Sequence, residues 1–475
     1  MWPTPLTLWL LLAGLLPPAY CLWLVLRFGF GEAVSLRSVG VLALWAGYHL
    51  SPWLGFFQQD VWDPFLLVPE HIDDGLLFSV LCMGTFLAGF GRVHPPGASS
   101  VCARTQLPRG AAMISLRLLL ALSLVTLGLF LLVVGGPEEA WKSSVPRGWG
   151  QFDDRDFLGK LRHMATIACT VANVILACVA SVYLLQPAGP TAWQRILVGI
   201  PALLIASLEP LHWFSRVAGQ AFMIFAFFAL RIKGHRGIPV ALLAVASGAY
   251  FGYTGLQWRG DYNPGLGNFL SAAAKPLDAS KTQQAPTPDE PLAALNPLSG
   301  IEPWTRKAQE RQSHPPNCLS AATDLLWNLQ PLPSELVPLR PLGWDIAEMV
   351  NTCAANYGIT TPALGEVYYA FGHLGSLLMF GLGMLYGYVE RLAVRKPGLA
   401  TYLCLLLFAI SLPASLQKNV RTQTRLFLYG LALCWAFNRG SRVKGNLDCS
   451  QLSARRDGVS QYWRSKAQTQ SSIAE

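Results

Sequence analysis

Gly365-Glu-Val-Tyr-Tyr-Ala-Phe-Gly-His-Leu-Gly375, continued by Ser376-Leu-Leu-Met-Phe-Gly-Leu-Gly-Met-Leu-Tyr-Gly387, decides how the chain is read. It is an apolar run entered through a glutamate, two tyrosines and a histidine, just after a long polar segment. A helix needs about 20 mostly apolar residues to cross hydrocarbon. Ionisable side chains are costly there, so Glu366 and His373 at the mouth of such a helix mark a candidate functional site. Spacings of three and four predict that Glu366, Tyr369 and His373 share one helical face. Gly372, Gly375, Gly381, Gly383 and Gly387 line the same helix, and the Gly383-x-x-x-Gly387 spacing predicts close approach of a second helix.

Outward from this stretch the chain keeps the same character. It is 52% hydrophobic and 13% charged, with mean hydropathy +0.36, far from an average soluble domain. On the length criterion there are about eleven apolar runs. They centre near Ala13, Ala46, Val80, Leu124, Val171, Leu204, Ile224, Val245, Met379, Leu406 and Leu431. The fold class expected is all-α, a polytopic membrane protein of about 11 transmembrane helices with a large extracytoplasmic loop. The runs are continuous rather than alternating, which excludes a β-barrel. The first run lacks a basic leader and carries Pro17-Pro18, so it reads as a kinked first span rather than a cleavable signal.

Lysine and arginine set the expected orientation. Arg92, Arg104 and Arg109 fall in one connection, Arg231, Lys233 and Arg236 in a second, and Arg391, Arg395 and Lys396 in a third. With alternating spans these share one side, taken as cytoplasmic. The stretch from Gln58 to Asp74, without lysine or arginine, and the long segment from Gly255 to Thr361 then lie outside. This gives four parts: helices over 1–254, the outer loop over 255–361, C-terminal helices over 362–438, and a cytoplasmic polar tail over 439–475. Within the loop, 272–316 is rich in Pro, Ala, Gln, Ser and Thr and reads as extended chain. The net charge of +9 is explained by this topology and requires no nucleic acid.

Arginines gather at the predicted outer ends. Arg216 opens an apolar run, Arg259 follows one, and Arg421 and Arg425 occupy the last outer connection beside Lys418. Guanidinium groups hold phosphate oxygens through paired donors, which suits a diphosphate site. Each alone is also what a snorkelling interfacial arginine looks like. Glu366 fits a general base for a hydroxyl, and equally an acidic residue complementing a helix start. A histidine such as His373 is, by itself, more often a hydrogen-bonded core residue than a catalyst. Asp153-Asp-Arg-Asp156 has no ligand spacing, and there is no nucleotide fingerprint and no zinc ligand set. Direct use of ATP by this chain is therefore not expected. Most of the ten cysteines lie in apolar runs as small hydrophobes; Cys318 and Cys353 share the outer loop, and their pairing is left open.

Four features resemble the bacterial oligosaccharide repeat-unit polymerases, the O-antigen polymerase family. They are Arg216 opening a span; the apolar-polar-Arg-apolar texture of Ile200 to Leu230; the stretch Leu332-Pro-Ser-Glu-Leu-Val-Pro-Leu-Arg-Pro341; and the helix from Gly365 to Gly375. The resemblance covers the C-terminal half. It implies a metal-independent, GT-C-type glycosyltransferase at the outer face of the bacterial cytoplasmic membrane. Such an enzyme moves a glycan from a polyprenyl diphosphate carrier to a hydroxyl of the next lipid-linked repeat unit. Glu366, Tyr369 and His373 would serve the chemistry; Arg216, Arg259, Arg340, Arg421 and Arg425 would hold the diphosphate. The implied partners are the lipid-linked oligosaccharide, membrane lipid and a chain-length regulator protein. A related ligase would use the same residues. A transporter is disfavoured because there is no internal repeat and the polar groups sit at one face. A cysteine protease on Cys353 lacks any local signature.

Overall fold

The architecture is that of a computed structural model, which describes residues 5–50, 52–53, 69–97, 114–143, 157–186, 189–215, 217–258, 262–275, 311–312, 363–395, 398–415 and 428. Every regular element among them is helical. In chain order these are α1 Pro5–Gly14, α2 Leu16–Phe28, α3 Leu36–Trp45, α4 Pro69–Val93, α5 Leu116–Val134, α6 Pro137–Trp141, α7 Phe157–Leu185, α8 Ala192–Ile205, α9 Leu208–His212, α10 Gln220–Lys233, α11 Ile238–Gln257, α12 Leu266–Ala273, α13 Ala363–Phe371, α14 Leu378–Arg395 and α15 Leu399–Ser415. The prolines at 17 and 18 open α2, so the first span is interrupted where a proline pair cannot continue the preceding hydrogen bonds.

Six stretches among the described residues are long and apolar enough to cross a membrane: Pro5–Phe28, Ile72–Val93, Leu116–Val134, Ala168–Leu185, Gln220–Gly255 and Ala363–Arg395. Two shorter apolar helices, Ala192–Ile205 and Leu399–Ser411, accompany them. The protein is a helical membrane protein. Gln220–Gly255 folds back on itself at the turn Gly234–Gly237, so it is the hairpin α10–α11. Two separate apolar runs, near Ile224 and Val245, are what the sequence leads one to expect there. Leu26 (78% exposed), Leu124 (70%) and Leu243 (70%) point outward, as a lipid-facing surface requires and a water-facing one does not tolerate in quantity. The run near Leu431, the tail over 439–475, Asp153 to Asp156, Cys318 and Cys353 lie outside the described residues. The five described cysteines, at 21, 82, 169, 178 and 404, are buried free thiols, as expected of small hydrophobes.

The most intimate packing joins α4 to α14. A Cβ at Gly383 would fall 2.2 Å from the carbonyl oxygen of Phe86, one at Gly387 2.9 Å from that of Phe90, and one at Gly89 2.0 Å from that of Phe380. The backbones touch because no side chain separates them, which is the use of small residues that the Gly383-x-x-x-Gly387 spacing predicts. Thr85 Oγ1, 2.7 Å from the carbonyl of Ser376, extends the same contact. Residue numbers rise together along both helices, so the pair is parallel. Tyr386 then ties α14 to α15, its hydroxyl donating to the carbonyl of Phe408 at 2.8 Å and its ring meeting Phe86 edge-on.

Opposite ends of this pair carry different chemistry. At one end Thr7 donates to Asp73, and Asp74 faces His373. At the other, two buried ion pairs gather four segments. Arg37 and Glu32 lie 3.4 Å apart at 2% and 0% side-chain exposure, and Arg37 Nη2 also donates to the carbonyl of His94 at 2.7 Å. Arg231 of α10 pairs with Glu390 of α14, whose other carboxylate oxygen accepts from the backbone of Leu36 at 3.0 Å. The charge-dense ends of α10 and α14 therefore share one side of the bundle, as the alternation of spans requires.

The glycine contact gives a sharp expectation. Gly383→Val should cost about 1–3 kcal/mol, because the added carbons meet backbone that cannot turn aside. Gly381→Ala, whose Cβ meets nothing within 4 Å, should leave stability unchanged or raise it by up to about 1 kcal/mol, the gain in helix propensity. Thermal unfolding of both variants in detergent, beside the parent, makes the comparison.

Candidate active site at a helix break

α13 begins with Glu366 in its first turn and buries almost everything it carries. Glu366 is 1% exposed, Tyr368 7% and Tyr369 9%. The helix ends at Phe371 because Gly372 takes φ +59°, a left-handed conformation that costs an L side chain energy. A 3-10 turn over Gly372–Leu377 follows, and α14 restarts at Leu378. The carbonyls of a last helical turn have no partner within the helix. Here the guanidinium of Arg311 supplies one, donating to the carbonyl oxygens of Tyr368 (3.4 Å) and Tyr369. A cation at this end also complements the helix dipole.

The break changes the expected geometry. One continuous helix was to carry Glu366, Tyr369 and His373 on a single face. Glu366 and Tyr369 do sit in the same helix three residues apart, but His373 lies beyond its end, in the 3-10 turn. Its ring packs edge-on to Tyr368 with centroids 5.3 Å apart, and 6.3 Å from Phe78 of α4. His373 Nε2 lies 3.8 Å from Asp74 Oδ1, both side chains being partly exposed. At 3.8 Å this is a contact between charge-bearing groups rather than a hydrogen bond. Nδ1 is buried and, among the described residues, has no hydrogen-bond partner. A partly exposed imidazole beside a carboxylate is an arrangement that can serve as a general base.

Asp74 and Arg311 were not singled out by the sequence. Asp74 was one acid among several in a polar connection, and Arg311 lay in the Pro- and Gln-rich stretch read as extended chain. The signal for Asp74 was present in outline: an Asp-Asp pair heading an apolar helix whose Gly89 matches the glycines of α14. For Arg311 we find none. Arg216, Arg259, Arg340, Arg421 and Arg425 lie outside the described residues. Among the described residues no group of three or more His, Cys, Asp or Glu side chains is placed to hold a metal ion.

No family model matches the chain, and neither a curated protein nor a solved structure does.

Gly372 is the joint on which this geometry turns. Gly372→Ala should lower stability by about 1–2 kcal/mol, the cost of a left-handed L residue. Unfolding of the purified variant measures it, and an unchanged midpoint would mean that the chain does not turn here as described.

Proposed function

We propose that the protein is a membrane glycosyltransferase that joins polyprenyl-diphosphate-linked oligosaccharide repeat units into a polysaccharide. The observation that carries this reading is His373. It stands on the Gly365–Gly375 segment that resembles the repeat-unit polymerases, its side chain 37% exposed and its Nε2 3.8 Å from Asp74 Oδ1. In the proposed reaction an acceptor sugar hydroxyl attacks the anomeric carbon of the donor glycan. The bond from that carbon to the carrier breaks, and its electron pair leaves with the lipid diphosphate. The partly exposed imidazole of His373 takes the hydroxyl proton, and Asp74 balances the charge that forms. Arg216, Arg259, Arg340, Arg421 and Arg425 would neutralise the departing diphosphate, the term that usually dominates such steps. Glu366 is too buried to meet a hydroxyl directly and is assigned, with Tyr369, to holding α13 in place. The eleven-span, GT-C-type arrangement belongs to the same reading. So does a bacterial cytoplasmic membrane with the Asp74–His373 end facing outward.

Polymer synthesis by the purified full-length protein, supplied with lipid-diphosphate-linked repeat units, tests it. His373→Gln should lose roughly 10²–10⁴-fold in turnover, the usual value of general-base assistance, at normal folded yield. Glu366→Gln should instead lower folded yield. Near-normal turnover of His373→Gln would remove the base from the mechanism. Absence of any transfer by the parent protein would remove the glycosyltransferase reading itself.

A further inference from the structure

A second polar site lies away from the helix break. Asn173 of α7 and Glu209 of α9 meet in the bundle, Asn173 Nδ2 donating to Glu209 Oε2 at 3.3 Å. Together with Gln220, at the start of α10, they line a cavity of about 30 Å³, room for one water molecule or one hydroxyl group. Asn173 is 7% exposed, and among the described residues its buried Oδ1 has no hydrogen-bond partner. An amide oxygen left this way inside a bundle calls for a donor that none of these residues supplies. Val217, which lines the cavity, is 47% exposed and stands at its rim.

We propose that the Asn173–Glu209 niche binds a hydroxyl group of the glycan carried on the lipid diphosphate. The assignment rests on the glycosyltransferase reading above and names a contact within it. A sugar hydroxyl donates one hydrogen bond and accepts others, so it satisfies Asn173 Oδ1 or the Glu209 carboxylate as donor and the Gln220 amide as acceptor. Val174, Ala177 and Ala221 supply apolar walls beside these polar groups, and the volume admits one hydroxyl and no more. Water has the same donor chemistry, so the test must separate a glycan from water and from the lipid carrier.

Val217→Cys places a thiol at the rim without touching the polar pair. The full-length variant in detergent is labelled with a methanethiosulfonate reagent, and modification of the introduced thiol is read by peptide mass spectrometry. Labelling is followed with no addition, with bare polyprenyl diphosphate, and with polyprenyl diphosphate carrying one oligosaccharide repeat unit. At a ligand concentration ten times its Kd the glycosylated carrier should slow labelling about tenfold, as occupancy dictates, and clearly more than the bare carrier, whose diphosphate is assigned to Arg216 one residue back along the chain. Adding Glu209→Gln, which keeps the shape, or Asn173→Ala to Val217→Cys should reduce that protection to the level given by the bare carrier. No protection by either carrier means that the niche holds water alone, and equal protection by both means that lipid or diphosphate fills it; either result overturns the proposal. So does protection above the bare-carrier level that survives both substitutions. Turnover measured on the same preparation keeps the two claims apart: protection without transfer would preserve the niche and sink the glycosyltransferase reading, and transfer without protection would do the reverse.

Discussion

The structure depends on one backbone contact, the parallel approach of α4 and α14 through Gly89, Gly383 and Gly387. Lipid tails are as apolar as leucine, so burying leucine against leucine gives little drive to associate two helices in a bilayer. Close approach does, because every atom pair brought to contact adds dispersion energy and the glycines remove the side chains that would hold the helices apart. A parallel pair in fixed register also sets what meets at each end. At one end it brings Asp74 against His373; at the other it delivers Glu390 to the backbone of Leu36 and to Arg231.

The Glu390 end shows how that register is reinforced. Glu32, Arg37, Arg231 and Glu390 form two ion pairs in a nearly dry setting, and each carboxylate also accepts a backbone N–H, from Gly97 and Leu36. Desolvation offsets most of what such pairs gain, so their net contribution to stability is small. Breaking one is another matter, since the surviving charge is left buried without its partner, at a cost of about 3–5 kcal/mol. The pairs act as a penalty against wrong assembly: any slip of α10, α14 or the turn before α3 strands a charge. Fixing this end leaves the opposite end free to be partly exposed, as Asp74 and His373 are.

Much of this was legible from residues alone. Apolar runs of membrane-spanning length identify the class because the bilayer imposes a length and a composition. Pro17-Pro18 marks the interruption of the first span, and Gly383-x-x-x-Gly387 marks the α14 contact surface. Periodicity failed at Gly372. A heptad-like spacing from Glu366 to His373 assumes one unbroken helix, and only the left-handed backbone at Gly372 shows that the face ends at Phe371. The partners of His373 and of the α13 carbonyls come from Asp74 and Arg311, both far from them in sequence. Local pattern carries no information about such pairs. The same holds for Glu32, Arg37 and Glu390, whose charges in or beside apolar runs were visible but whose pairing is a product of the fold.

The register of α4 against α14 is the claim on which both ends rest, and thiol cross-linking measures it directly. Cysteines at Thr85 and Ser376, residues joined by a 2.7 Å side-chain-to-backbone hydrogen bond, should be bridged in membranes by a short, membrane-permeant bifunctional methanethiosulfonate, with the protein still folded on extraction. If the reagent labels both thiols singly without bridging them, under conditions that bridge a Thr7→Cys, Asp73→Cys pair, the parallel glycine contact is wrong, and with it the assembly of Asp74 and His373.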